Sequence, residues 1–242
     1  VRVKMTISYD GSHFYGFQVQ NSGVETVANK LYTIFRALGI TTTFDASGRT
    51  DRGVHATGQV LSMDIPSHWQ GRLEQLREHI NRKALPHIYV RQIETVADDF
   101  HARYDAKKRA YRYIVSDREP SVFMTPYRLY TKPFDVRAIK EAVKLFEGEY
   151  DFTFFAKTGS DTTDFVRTVY KADFYAHEDH YVFSFVANGY LRSQIRLMVS
   201  FLLKIGLKEV SLEDLEDQLS LKREVVREPV APNGLYLTRI WY

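Results

Sequence analysis

The order in which hydrophobic periodicity changes along the chain constrains the fold more than any single residue does. Val1, Val3, Met5 and Ile7 alternate with Arg2, Lys4, Thr6 and Ser8, which predicts a half-buried strand over residues 1–8. Asp10-Gly11 closes it with a turn signal. Val27, Leu31, Ile34, Phe35 and Leu38 then share one face of a helix over residues 24–38, with Gly39 placed as its C′ residue. Strands are predicted near 41–47 and 57–64, on either side of the polar piece SGRTDRGVHA. Trp69, Leu73, Leu76 and Ile80 mark a second amphipathic helix that ends before Pro86, and IYVRQIE at 88–94 reads as a strand.

The scheme then recurs. Residues 109–116 alternate, with Tyr111, Tyr113 and Val115 on one face and Ala110, Arg112 and Ile114 on the other. Asp135 is placed to cap a helix whose buried stripe is Ile139, Val143 and Phe146, and Gly148 to end it. Strands at 166–175 and 181–187 flank the turn AHEDH. A more apolar helix spans 190–204, a short one begins at Ser211 with Asp214 in the capping-box position, and LYLTRIW at 235–241 is the last strand. Both halves, 1–96 and 97–242, carry strands and helices in ferredoxin-like order. The expected fold is α+β: two ferredoxin-like halves sharing a mainly antiparallel sheet.

Composition narrows the function classes. The chain is 44% hydrophobic and 26% charged, a folded and not a disordered composition. No run approaches the roughly 18 apolar residues that span a bilayer, and VRVKMTISYD lacks a signal peptide's apolar region, so a cytoplasmic protein without membrane contact is expected. The absence of cysteine rules out disulfides, thiolate nucleophiles, sulfur-ligated zinc and iron–sulfur clusters. Phosphate-loop, HExxH and GxSxG patterns are missing, so neither cofactor nor metal is expected. His177 and His180 read as a solvent-facing pair at a turn.

The net charge is only +3, but residues 101–118 hold six Arg or Lys against two Asp, interleaved with Tyr. That pattern suits a nucleic-acid surface, with cations for phosphates and rings for bases. It equally suits a strand edge protected by charge. In Ser47-Gly48-Arg49-Thr50-Asp51-Arg52-Gly53-Val54-His55-Ala56, two glycines bracket an acid set among cations. An ionised Asp51 there is a candidate nucleophile; the alternative is an Asx-turn with a surface ion pair.

GRTDRGVH at 48–55 resembles the active-site loop of the TruA-type tRNA pseudouridine synthase family. Further matches run in family order: YDGSHFYGFQ at 9–18, DDFHARY at 98–104, RAYRY at 109–113, GEYDFTFF at 148–155, VANGYLRSQIR at 186–196 and GLYL at 234–237. The resemblance implies the pseudouridine synthase fold, no cofactor, and a homodimer that isomerises uridines at positions 38–40 of the tRNA anticodon stem-loop. It places the nucleophile on Asp51 and the residue that holds the extruded nucleotide open on Arg49. Tyr111 would stack on the base, Arg196 would pair with the catalytic carboxylate, and Leu235 would pack against the base.

Arg196 also stands out without the resemblance, because it interrupts an apolar helix between Ile195 and Leu197 and requires a partner there. Arg52, Lys107, Lys108, Arg109 and Arg112 are the candidates for phosphate contacts, which position RNA without reading its sequence. His55 and His101 are expected to be hydrogen-bonded structural histidines. Phe17, Val19, Gln194 and Ser200 depart from the family pattern without touching a catalytic position. The competing readings are a synthase for another structured RNA and a catalytically silent tRNA-binding protein.

Overall fold

β1 (Arg2–Tyr9) forms where the alternating pattern predicts it, with Val3, Met5, Ile7 and Tyr9 buried on one side. The computed structural model describes residues 1–21, 23–157, 159 and 162–242, and the chain divides into two compact units, Val1–Lys107 with Tyr236–Tyr242, and Lys108–Leu235. Among the described residues no helix is long and apolar enough to cross a membrane.

In the first unit α1 (Val27–Ala37) starts later than the stripe alone suggests, because Thr26 is its N-cap and accepts from the Asn29 amide at 3.2 Å. Its end is the expected one. Gly39 has φ +75°, its amide donates to Arg36 and that of Ile40 to Phe35, the Schellman pairing that satisfies the last carbonyls. β2 (Phe44–Ala46) is short and β3 (His55–Asp64) long. Trp69 is not on the second helix. It ends a separate 3₁₀ turn, Ser67–Trp69, and donates from its indole to the Leu38 carbonyl at 3.3 Å, while Gly71 at φ +74° breaks the chain direction before α2 (Leu73–Ala84). β4 (Ile88–Thr95) follows. β1 lies between β4 and β3, both antiparallel, and β2 pairs antiparallel with β3, so the first four strands have the ferredoxin-like arrangement β4-β1-β3-β2.

The second unit opens with β5 (Lys108–Ser116), alongside which the two-residue β6 (Leu129–Tyr130) runs parallel. Asp135 caps α3 (Val136–Ala142) by accepting from the Arg137 and Ala138 amides, which hold its carboxyl below the usual range. The helix tightens to a 3₁₀ turn at Val143–Phe146. Gly148, at φ +129°, does not only end it but begins β7 (Gly148–Asp151), a strand the sequence pattern does not show. β8 (Val166–His177) and β9 (His180–Ala187) form a hairpin tighter than AHEDH suggested, with Glu178 in the left-handed region at its tip. The sheet runs β5-β9-β8-β7, antiparallel throughout.

α4 (Gln194–Gly206) begins four residues after the expected start. Ser193 is left-handed at φ 61°, and the Gln194 side chain turns back to accept from the Leu191 amide at 2.8 Å. α5 (Leu212–Leu219) has the complete Ser211–Asp214 capping box. β10 (Leu235–Trp241) ends the chain, pairing parallel with β3 at Tyr236 and Leu237. One edge of β3 is therefore shared by β2 at Leu61–Met63 and β10 at His55–Ala56.

Candidate active site

The first unit carries Arg49, Asp51, Arg52 and Lys107; the second carries Lys108, Arg109, Tyr111, Arg112, Arg196 and Leu235. Around Asp51 the polar piece is held from three sides. On one, Gln59, fully buried on β3, accepts from the Ser47 hydroxyl at 2.7 Å and donates to the Gly48 carbonyl at 2.7 Å. On the second, the buried Thr50 hydroxyl meets that of Tyr9 at 2.8 Å. On the third, the Thr50 carbonyl accepts from the Phe17 amide at 3.0 Å. The carbonyls of Gly16 and Phe17 in turn accept from Val27 and Ala28, the first amides of α1, so the helix end and the polar loop are braced by one segment.

Gly16 is required there on two counts. It has φ +94°, and a Cβ would stand 3.3 Å from the Thr50 carbonyl oxygen and 3.6 Å from the Asp51 carbonyl carbon. Asp51 itself opens a β-turn closed by the Val54 amide donating to its carbonyl at 3.1 Å, with Gly53 at φ +79° in the third position, as a type II turn demands. Behind the turn the backbone of Gly11 is pressed on Val54, where a Cβ would overlap the carbonyl oxygen at 2.0 Å. The outcome is an alternation in which Ser47 and Thr50 are buried while Arg49, Asp51 and Arg52 are exposed.

Arg52 lies over the half-exposed ring of Tyr15, its guanidinium carbon 4.1 Å from the centroid. Sequence reasoning missed Tyr15, Gly16 and Gln59 as partners of the loop. Tyr15 and Gly16 both lie inside the YDGSHFYGFQ match, the signal that pointed to that segment, whereas Gln59 had none. His55 is structural as expected: it is buried, accepts from the Gly11 amide at 3.1 Å and stacks on Tyr236. His101 likewise accepts from the Arg103 amide at 3.1 Å. Phe17 belongs to the core against Tyr9 and Phe44, whereas Val19 is exposed.

In the second unit Tyr111 projects from β5 on the same side as Tyr113, as the alternation predicts, and both are buried. The Tyr190 ring meets that of Tyr111 edge-on, centroids 5.2 Å apart. The Tyr190 hydroxyl is sealed and has no hydrogen-bond partner among the described residues, and burial pushes this phenol well above its usual range. Tyr113 reaches past the sheet to donate to the Ala231 carbonyl at 2.7 Å; burial raises its phenol too, opposed by the charge of Arg196.

Arg196 sits on α4, and its Nε donates to the Val230 carbonyl at 2.7 Å, so the helix and the segment ahead of Leu235 are clasped. Leu235 is buried. Gly234 before it has no room for a side chain, since a Cβ would lie 2.6 Å from the Ile114 carbonyl oxygen and 2.8 Å from the Tyr113 ring. Of the basic residues, Arg112 and Lys108 are exposed on β5. Lys108 lies 4.7 Å from the centroid of the exposed Tyr170 ring, and Arg109 donates to the Asn188 carbonyl at 2.9 Å.

The sequence model of a family described as tRNA pseudouridine synthase matches residues 5–105 and 142–242. The chain is 38% identical over 244 residues to the tRNA pseudouridine synthase A of Helicobacter hepaticus, covering 99% of this chain and 98% of that one. It is 40% identical over 237 residues to the Wolinella succinogenes protein of the same name, covering 97% and 92%. With that of a Geobacillus species it shares 36% over 251 residues, covering 100% and 98%.

Proposed function

The chain belongs to the tRNA pseudouridine synthase family, and we propose that it isomerises uridines of the tRNA anticodon stem-loop, at positions 38–40, with Asp51 as the nucleophile. The observation that carries this reading is the braced turn in which GRTDRGVH leaves Asp51 exposed and its flanking residues fixed. A reacting carboxylate must be held in position without being covered.

The reaction breaks the bond from C1′ to N1, turns the retained uracil and makes a bond from C5 to C1′. C5 loses a proton and N1 gains one, so atoms and electrons balance with no redox partner. Asp51 acts either at C1′ or by taking a sugar proton. Tyr111 offers a ring face to the base, which holds uracil while leaving it free to turn, and assists the removal of the C5 proton that N1 regains. Leu235 packs on the base, Arg196 supplies charge to the reacting carboxylate, and Arg49 keeps the nucleotide extruded.

Arg52, Lys107, Lys108, Arg109 and Arg112 serve phosphates of the same tRNA, bound by a homodimer in the cytoplasm. The test is a base-resolved pseudouridine map of tRNA from cells lacking this protein. The expected result is loss at positions 38–40 that returns with the wild-type chain; an unchanged map there refutes the reading.

A further inference from the structure

Asp10, His13 and His87 each offer one ligand atom, and these three atoms lie within 4.8 Å of one another. Nothing in the proposed chemistry uses them. Their meeting follows from local structure at two places. Asp10 caps the 3₁₀ turn Gly11–His13, and because such a turn has three residues per turn, positions 10 and 13 fall on one side. The Asp10 amide also donates to the His87 carbonyl at 2.9 Å, where β1 and β4 stop pairing, which brings the third residue in from 77 positions along the chain.

We propose that these three side chains form a binding site for a zinc ion, with a water as fourth ligand. Zinc takes imidazole nitrogen and carboxylate oxygen at about 2.0–2.2 Å, so ligand atoms in a tetrahedron stand roughly 3.3–3.6 Å apart. The His13 Nε2 and Asp10 Oδ2 atoms are already 3.6 Å apart. The remaining closure falls on His13, which is about half exposed at the end of the 3₁₀ turn.

Two further observations favour a cation here. The rings of His13 and His87 are stacked with centroids 3.6 Å apart at 27°. The stack sets the two imidazoles side by side at one turn, so that a nitrogen of each and an oxygen of Asp10 come together around one point. The second is the orientation of the carboxylate. Asp10 Oδ1 accepts from the Ser12 amide at 3.0 Å and the Ser12 hydroxyl at 2.6 Å. Those contacts fix the carboxylate with Oδ2 toward His13, the kind of outer support that metal-ligating carboxylates have. Two nitrogen donors in three favour zinc over magnesium or calcium, which prefer all-oxygen sets. The ion would clip the turn after β1 to the chain entering β4.

The inference is independent of the catalytic reading, and its test needs no tRNA. The full-length, tag-free chain is stripped with chelator and titrated with zinc against a chromophoric indicator, while thermal unfolding is followed with zinc and with magnesium. The wild type should bind one zinc and melt higher with zinc but not with magnesium. His13→Gln and His87→Gln should each weaken zinc binding at least tenfold and abolish the shift, with metal-free melting near wild type for the exposed His13 position. A double His177→Gln/His180→Gln variant, which removes the histidine pair of the β8–β9 turn, should bind as wild type does. Absence of zinc binding, binding unchanged by both single variants, or binding lost only in the double variant would each overturn the site.

Discussion

Around Asp51 the first unit is assembled from hydrogen bonds, whereas around Tyr111 the second is assembled from rings. Gln59, Thr50, Tyr9 and the Phe17 amide each fix one point of the polar loop. Tyr111 and Tyr113 instead rise from a strand whose neighbours include Phe183 and Phe185, within a cluster of Phe146, Phe155 and Phe201. Hydrogen bonds are directional and individually small, so they set position at modest cost in stability. Packed rings bury large apolar areas, a non-directional gain, so they set stability first and position mainly through shape. Damage to the first region should therefore appear in turnover, and damage to the second in folding.

The largest effect expected on turnover is that of Asp51→Asn. It keeps the shape of the side chain and removes the ionised oxygen, so pseudouridine formation should become undetectable in single-turnover assays. tRNA affinity should stay within about tenfold and melting near wild type. Appreciable conversion by D51N, checked for deamidation, would remove Asp51 from its role. Phe146→Ala carries the largest expected loss of stability. Its fully buried ring contacts Phe155 and Phe185, and truncation should cost about 3–5 kcal/mol in urea unfolding. A loss of turnover with wild-type stability would break the contrast between the two regions.

Gln59→Leu is the intermediate case. It removes the bonds that Gln59 makes to the Ser47 hydroxyl, the Gly48 carbonyl and the Val60 amide, at about 1–3 kcal/mol. Turnover should fall while tRNA affinity holds, and unaltered turnover would show that the loop keeps its shape without this brace. Tyr190→Phe has the smallest effect and the opposite sign. It deletes a sealed hydroxyl that has no hydrogen-bond partner among the described residues, so stability should rise by about 1 kcal/mol. At this chain length that amounts to roughly 2–4 °C in the thermal midpoint. A lower midpoint would mean that the hydroxyl has a partner in solution, such as a bound water.

Sequence alone determined the elements whose causes are local. Alternation placed β1 and β5, a one-sided apolar stripe with Gly39 behind it placed α1 and its end, and Ser211 with Asp214 placed α5. It also singled out the Asp51 loop, because two glycines and four ionisable or polar residues in a row are not what core packing selects. What tertiary structure decided depends on partners far away in the chain. Trp69 leaves the helical stripe to bond Leu38, Gly148 opens a strand because Val169 of β8 is there to pair with it, and Arg52 finds Tyr15. Gln59 looks in sequence like any polar residue on a strand, yet it is fully buried and braces the Asp51 loop. Periodicity records which face of an element is apolar; it holds no record of which distant groups that face will meet, and those meetings position the side chains around Asp51.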